Sequence, residues 1–121
     1  MEIWLNPACS KCRTATAALD AAGIQYTVRR YLDDPPTAAE LAEVLDRLGL
    51  EPWEITRFSE STATDFGLAD RSREAADRAG WIDLLAANPI LIQRPILTAA
   101  DGTTVVGRTP EELDKALAAG S

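Results

Sequence analysis

Residues 2–31 read EIWLNPACSKCRTATAALDAAGIQYTVRRY, and how this stretch is parsed decides the fold. Glu2 to Leu5 reads as a short strand. Asn6-Pro7-Ala8 breaks it, because proline cannot donate to a ladder. From Ser10 onward, Cys12, Ala15, Ala18, Leu19 and Ala22 recur at helical spacing, and Gly23 stops the run. Ile24 to Tyr31 reads as a second strand, carried by Ile24, Tyr26, Val28 and Tyr31. The stretch is therefore β-α-β, which implies parallel strands and a right-handed crossover. The only two cysteines of the chain, Cys9 and Cys12, fall where the first strand turns into the helix.

Beyond this unit, Asp33-Asp34-Pro35-Pro36 is a turn and Thr37-Ala38-Ala39-Glu40 a capping box. Leu41, Val44, Leu45 and Leu48 form an apolar stripe behind it, closed by Gly49. The middle of the chain, from about Pro52 to Ala87, reads as mostly helical. Trp53 and Ile55 anchor one short piece there, and Phe66 and Leu68 another. Ser72 is the expected cap of a last section, which Gly80 should interrupt. Ile96 to Thr98 reads as a strand behind Pro95, and Ala100-Asp101-Gly102 as a hairpin turn with the Asp-Gly signal. Thr103 to Val106 pairs back. Thr109-Pro110-Glu111-Glu112 combines a capping box with proline at the first helical position, ahead of Leu113, Ala116 and Leu117. There are no repeats, low-complexity tracts or linkers. The expectation is one domain over 1–121, with a helical insert at about 37–87. The order β-α-β, insert, β-β-α is the thioredoxin-type arrangement. It is an α/β fold with a four-stranded mixed sheet and the insert between the second and third strands.

Composition narrows the function. The chain has 121 residues and a net charge of −7 from 12 basic and 19 acidic side chains. Such acidity disfavours nucleic acid and membrane surfaces, which are themselves polyanionic. The start carries no signal-peptide pattern and no apolar run could span a bilayer, so the expected setting is the cytoplasm, where a permanent disulfide is disfavoured. There is no histidine. That removes Cys–His and Ser–His catalysis and every histidine-containing zinc site, and two cysteines cannot make a four-thiolate site.

Both thiols thus stand at the start of a helix. A helix N-terminus presents unpaired N–H groups and about half a positive charge, and both stabilise a thiolate. Lys11 and Arg13 are adjacent cations. Cys9, one position before the helix, reads as the attacking thiolate. Cys12, inside the first turn and nearer the core, reads as a candidate resolving thiol, at a spacing that suits a disulfide. The alternative is that both are small core residues. The same terminus is an oxyanion site, with the amides of Ala8 to Cys12 facing an anion bound at Cys9. In an acidic chain such an anion would also need arginines.

Four ordered motifs then become specific. Asn6-Pro7-Ala8-Cys9 is followed by Arg13 and Leu19. Tyr31-Leu32-Asp33-Asp34-Pro35-Pro36-Thr37 is followed by Glu40-Leu41. Asn88 to Ile96 reads NPILIQRPI, and Gly107 to Leu113 reads GRTPEEL. Together they closely resemble the arsenate reductase family coupled to glutathione and glutaredoxin, and the match runs to about residue 118. The resemblance implies the thioredoxin-like fold with its helical insert, and a cis bond before Pro95, which faces the redox motif. It implies Cys9 as the nucleophile, supported by Asn6 and Arg13. It also implies Arg57, Arg94 and Arg108 as oxyanion-binding arginines. For each arginine the alternative is a solvated surface charge, and Arg71, Arg73 and Arg78 read as just that.

Thiol-dependent reduction of arsenate, or a similar oxyanion, to arsenite is the activity this implies. No bound cofactor or metal is expected. The reductant would be an external thiol, such as glutathione or mycothiol, with glutaredoxin or thioredoxin, and the protein would be a monomer. Cys12 is absent from many such reductases. It occurs in other members of the superfamily, including Spx-type regulators, which bind RNA polymerase and sense oxidation. An Spx-like redox-sensing regulator and a general dithiol oxidoreductase are therefore the rival readings.

Overall fold

In a computed structural model of the chain, residues 1–120 are described. They fall into two compact units, Met1–Asp34 with the stretch from Arg94 to the end of the chain, and Pro35–Gln93.

The first unit contains strands β1 (Glu2–Leu5), β2 (Thr27–Arg30), β3 (Ile96–Thr98) and β4 (Thr104–Val106), with helices α1 (Ser10–Ala21) and α5 (Pro110–Ala119). They form a four-stranded mixed sheet in the order β2-β1-β3-β4. β1 and β2 run parallel, with Glu2 opposite Thr27 and Leu5 opposite Arg30. β3 runs antiparallel to both β1 and β4, with Trp4 opposite Ile96 and Ile96 opposite Val106. The expected mixed sheet and its βαβ start are both present.

Alternation along β1 sets the core. Ile3 and Leu5 join Cys9, Cys12, Ala15 and Leu19 of the α1 region, Leu97 of β3, Val105 of β4 and Ala116 of α5. Trp4 points to the other face of the sheet, where the Arg29 guanidinium lies 5.5 Å from its ring centroid. Alanine at position 15 lets α1 sit close to the sheet, while a fully buried leucine such as Leu19 contributes about 1.5–3 kcal/mol.

The second strand is shorter than its sequence suggests. Ile24 to Tyr26 lie outside it, and Tyr31 falls in a turn, although it is buried. β2 is an edge strand with one neighbour, and β1 offers only four residues to pair with. The Ile24 amide is drawn instead to the Leu19 carbonyl at 3.0 Å, where it closes the end of α1.

The second unit contains α2 (Ala38–Leu48), α3 (Ser61–Asp65) and α4 (Arg78–Ala87), with 3-10 turns at Pro52–Ile55, Leu68–Asp70, Ala75–Asp77 and Pro89–Leu91. The Thr37–Glu40 capping box forms in full, and Gly49 ends α2 at φ 68°, a left-handed conformation that favours glycine. Several expectations fail here. α4 begins at Arg78 rather than near Ser72, and Gly80 lies inside it. The Ser72 hydroxyl donates to the Asp77 carboxylate at 2.6 Å, so it shapes the turn before the helix and does not cap it. Phe66 is not an anchor: it is half exposed, while Leu68 is buried. At α5 only half of the expected box forms. The Thr109 hydroxyl accepts from the Glu112 amide at 3.2 Å, while the Glu112 carboxylate faces Lys115 at 3.6 Å.

Arg71 and Arg73 are exposed, as expected of surface charges, and Arg78 is partly buried, yet each has a partner. Arg78 donates to Glu51 at 2.8 Å and to Asp46 at 3.1 Å. Arg71 lies over the ring of Trp81, and Arg73 over those of Phe58 and Trp81. Trp81 is fully buried and also meets Trp53 edge to face at 6.0 Å. Aromatic faces in this unit thus hold cations that helical periodicity alone assigns to solvent.

Candidate active site

The turn between β1 and α1 is built by Asn6. Its side-chain oxygen accepts from the Ala8 amide at 3.0 Å, and its carbonyl accepts from the Cys9 amide at 2.9 Å. Proline at position 7 has no amide to place. The chain is thereby folded so that Cys9 becomes the N-cap of α1, at φ −90° and ψ 124°. Serine or threonine at this position would accept an amide and close the helix end. Cys9 makes no such hydroxyl cap, so the end stays available to a thiolate.

Because Ala8 and Cys9 spend their amides on Asn6, the expected row of free amides from Ala8 to Cys12 is shorter. Those of Ser10 and Lys11 remain open in the first turn. The Cys12 amide favours the Cys9 thiolate without forming a cap hydrogen bond to it.

The two thiols differ sharply. Burial disfavours the Cys9 thiolate, but the Cys12 amide, the Arg94 guanidinium and the Cys12 thiol outweigh burial and lower its pKa to about 7. Burial pushes the Cys12 thiol up to about 12, only partly offset by the Asn6 amide, which donates to its sulfur at 3.5 Å. Cys12 is 1% exposed and Cys9 is 8% exposed. At neutral pH, Cys9 is about half ionised, whereas Cys12 stays a thiol. Lys11 and Arg13 are both exposed, and neither is among the causes of the Cys9 shift. The nearby cation that matters comes from a distant part of the sequence.

That cation is Arg94. Its peptide bond to Pro95 is cis. The Arg94 carbonyl accepts from the Arg108 guanidinium at 2.8 Å, and the Pro95 carbonyl accepts from the Gly107 amide at 2.9 Å. The start of β3 is therefore clamped to the segment after β4. The Nε and Nη1 groups of Arg94 are buried and have no hydrogen-bond partner among the described residues. Leaving charged donors buried and unpaired costs several kcal/mol, and such groups mark places where an anion is handled.

A family model described as the ArsC family matches residues 4–116. The chain belongs to the ArsC family. It is 60% identical over 117 residues to an "Uncharacterized protein in glnII region" of Streptomyces viridochromogenes, covering 97% of this chain and 98% of that one. It is 33% identical to an arsenate reductase of Neisseria meningitidis, covering 97% of each chain. Among solved structures, an arsenate reductase from Vibrio cholerae superposes with a TM-score of 0.84 at 34% identity, over 96% of this chain and 98% of that one. The fold is thus the thioredoxin-like α/β arrangement, and Arg94, Pro95 and Arg108 lie within the matched region.

In this ArsC-family chain, the first unit brings together Asn6, Cys9, Cys12, Arg94, Pro95 and Arg108. Arg13 stands at the rim, donating to the Pro7 carbonyl at 3.3 Å. Arg57 lies in the second unit, where its guanidinium pairs with the Glu60 carboxylate and its amide donates to Leu91. The i,i+3 spacing of Arg57 and Glu60 was the signal for that pair in the sequence. Gly107 was also missed: a Cβ there would meet the ends of the Leu97 and Leu113 side chains at 2.6 and 3.0 Å, so both would have to shift to admit one. Among the described residues, no group of His, Cys, Asp and Glu could hold a metal ion, and no helix is long and apolar enough to cross a membrane.

Proposed function

We propose that this protein reduces arsenate to arsenite, with Cys9 as the nucleophile. The observation that carries this reading is the Cys9 sulfur at the open end of α1, facing an arginine whose buried Nε and Nη1 lack partners. A thiolate and an oxyanion cradle at one point suit attack on an electrophilic oxyanion.

The Cys9 thiolate attacks arsenic. A sulfur–arsenic bond forms, one arsenic–oxygen bond breaks, and hydroxide leaves as water after taking up a proton. Arsenic is still pentavalent in this adduct. A thiolate from an external low-molecular-weight thiol then attacks the Cys9 sulfur. A disulfide forms, the sulfur–arsenic bond breaks and its electron pair stays on arsenic, which departs as trivalent arsenite. A second thiol, delivered by glutaredoxin or thioredoxin, releases Cys9. Each arsenate thus turns two thiols into one disulfide. Arg94 and the open amides of Ser10 and Lys11 hold the oxyanion, and Arg108 holds Arg94 in place. Cys12 acts as a neutral donor beside the Cys9 thiolate. Arsenate reduction by other ArsC-family chains, named for it at 33% identity, supports the reading.

The test is arsenite formation by the purified protein from arsenate, supplied with glutathione and glutaredoxin, or with a thioredoxin system. Arsenite above the protein-free rate is expected with at least one system. Arsenite at background with both would end the proposal.

A further inference from the structure

The charges that act on Cys9 are few. Arg94 brings one positive charge, which already favours the Cys9 thiolate. Arg108 brings a second, with one donor spent on the Arg94 carbonyl. The start of α1 adds about half a charge. Lys11 and Arg13 are exposed, where water screens them, and neither is among the causes of the Cys9 shift. Arg57 is paired with the Glu60 carboxylate, and that pair carries no net charge. β1, β4 and α5 present Ile3, Leu5, Val105 and Ala116 to the core that holds Cys9, and none of these titrates. Roughly two and a half positive charges thus serve the thiolate and the oxyanion together. Proton donors are scarcer still. The chain has no histidine. Cys12 is buried and its thiol is pushed up to about 12, so it keeps its proton at neutral pH. No carboxylate is among the causes of the Cys9 shift, and none pairs with Arg94 or Arg108 among the described residues.

We infer that the site takes its oxyanion in the singly charged form that still bears two hydroxyls, and that the oxyanion supplies the proton for its own leaving oxygen. The inference rests on the proposed attack by Cys9. A thiolate and a singly charged oxyanion carry two negative charges, which the positive charge present can match. A thiolate and a doubly charged oxyanion carry three, which exceeds it, in a setting where an unmatched charge is costly. As the sulfur–arsenic bond forms, one arsenic–hydroxyl bond breaks and its electron pair goes to the oxygen. The proton of the second hydroxyl moves onto that oxygen, and water departs. The adduct keeps two negative charges on its three oxygens, and arsenic stays pentavalent. Arg94 and the open amides of Ser10 and Lys11 hold those oxygens. A tetrahedral oxyanion with no proton to give, such as sulfate, meets the thiolate as a dianion and is disfavoured.

The experiment measures binding without turnover. Phosphate and sulfate are the probes, since both are tetrahedral but only phosphate is protonated near neutral pH. Each is titrated at constant ionic strength against alkylation of wild-type Cys9 by iodoacetamide, a neutral reagent, with no reductant present. At about pH 7.5, phosphate should protect at a concentration at least tenfold below that of sulfate. From about pH 7.5 to 9, the half-protecting concentration of phosphate should climb roughly tenfold per pH unit, as its singly charged form is lost. Cys9→Ser, which lacks the thiolate, should bind the two probes with similar affinity in calorimetric titrations and lose that dependence on pH. Circular dichroism checks that the variant is folded. Sulfate protecting as well as phosphate overturns the inference. So does phosphate protection that holds or improves up to pH 9, a Cys9→Ser protein that keeps the full preference for phosphate, or no protection by either probe. If the preference holds but arsenate is not reduced, only the reading of the reaction falls. If arsenate is reduced without the preference, only this inference falls.

Discussion

The Arg108 guanidinium donates to the Arg94 carbonyl at 2.8 Å, while the Arg94 guanidinium acts on Cys9. The two arginines therefore do different work. One presents charge to the thiolate, and the other fixes the loop that carries it.

Arg94→Gln should remove the guanidinium that favours the Cys9 thiolate. Its pKa should then rise from about 7 toward the ordinary cysteine range. The rate of iodoacetamide alkylation against pH reports this directly. An unmoved midpoint would show that the helix end alone sets the thiolate.

Stability should follow pH in two opposed windows. The Cys9 pKa is lowered by folding, so its contribution is complete above the ordinary cysteine range and is lost as pH falls through about 7. Wild type should gain on the order of 1–2 kcal/mol over Cys9→Ser between pH 7 and 9 in urea unfolding. The Cys12 pKa is raised, so its contribution is complete below the ordinary range and is lost as pH climbs toward about 12. Above pH 9, wild type should lose ground to Cys12→Ala. Parallel curves for all three proteins would contradict both shifts.

Cys12→Ser should keep arsenate reduction within about tenfold of wild type, because a thiol with its pKa pushed up to about 12 is a poor attacking group at neutral pH. The same change should cost about 1–3 kcal/mol in stability, since it places a hydroxyl in the core at a site 1% exposed. Complete loss of turnover in a folded Cys12→Ser protein would make Cys12 the resolving thiol after all.

Gly107→Ala should destabilise the first unit by about 1–3 kcal/mol, because its Cβ would lie 2.6 Å from the Leu97 side chain. It should also slow turnover, since Gly107 is bonded to Pro95 and adjoins Arg108. Thermal unfolding and kcat/KM check the two effects separately, and wild-type values for both would show that the packing yields.

The sheet was legible because its signals are local. Alternation in Ile3 and Leu5, the proline break at Pro7 and the Asp101-Gly102 turn each act within a few residues. The start of α1 was legible for the same reason, and with it the different burial of Cys9 and Cys12. What lay beyond reach came from groups distant in sequence. β2 is limited by the length of β1, a partner more than 20 residues away. The amides of Ala8 and Cys9 are consumed by Asn6, a competition that helix-end reasoning alone does not reveal. Lys11 and Arg13 looked like the activating cations because they are neighbours in the chain, whereas the effective one, Arg94, arrives through the fold. The aromatic settings of Arg71 and Arg73 depend on where Trp81 packs, which no helical pattern states.

The central claim is that the Cys9 thiolate attacks arsenate. Arsenite released by wild type and by Cys9→Ser, at equal protein concentration and with the same thiol system, tests it most directly. We expect Cys9→Ser to fall to the protein-free background while keeping a wild-type circular dichroism spectrum. Arsenite formation at the wild-type rate by folded Cys9→Ser would contradict it.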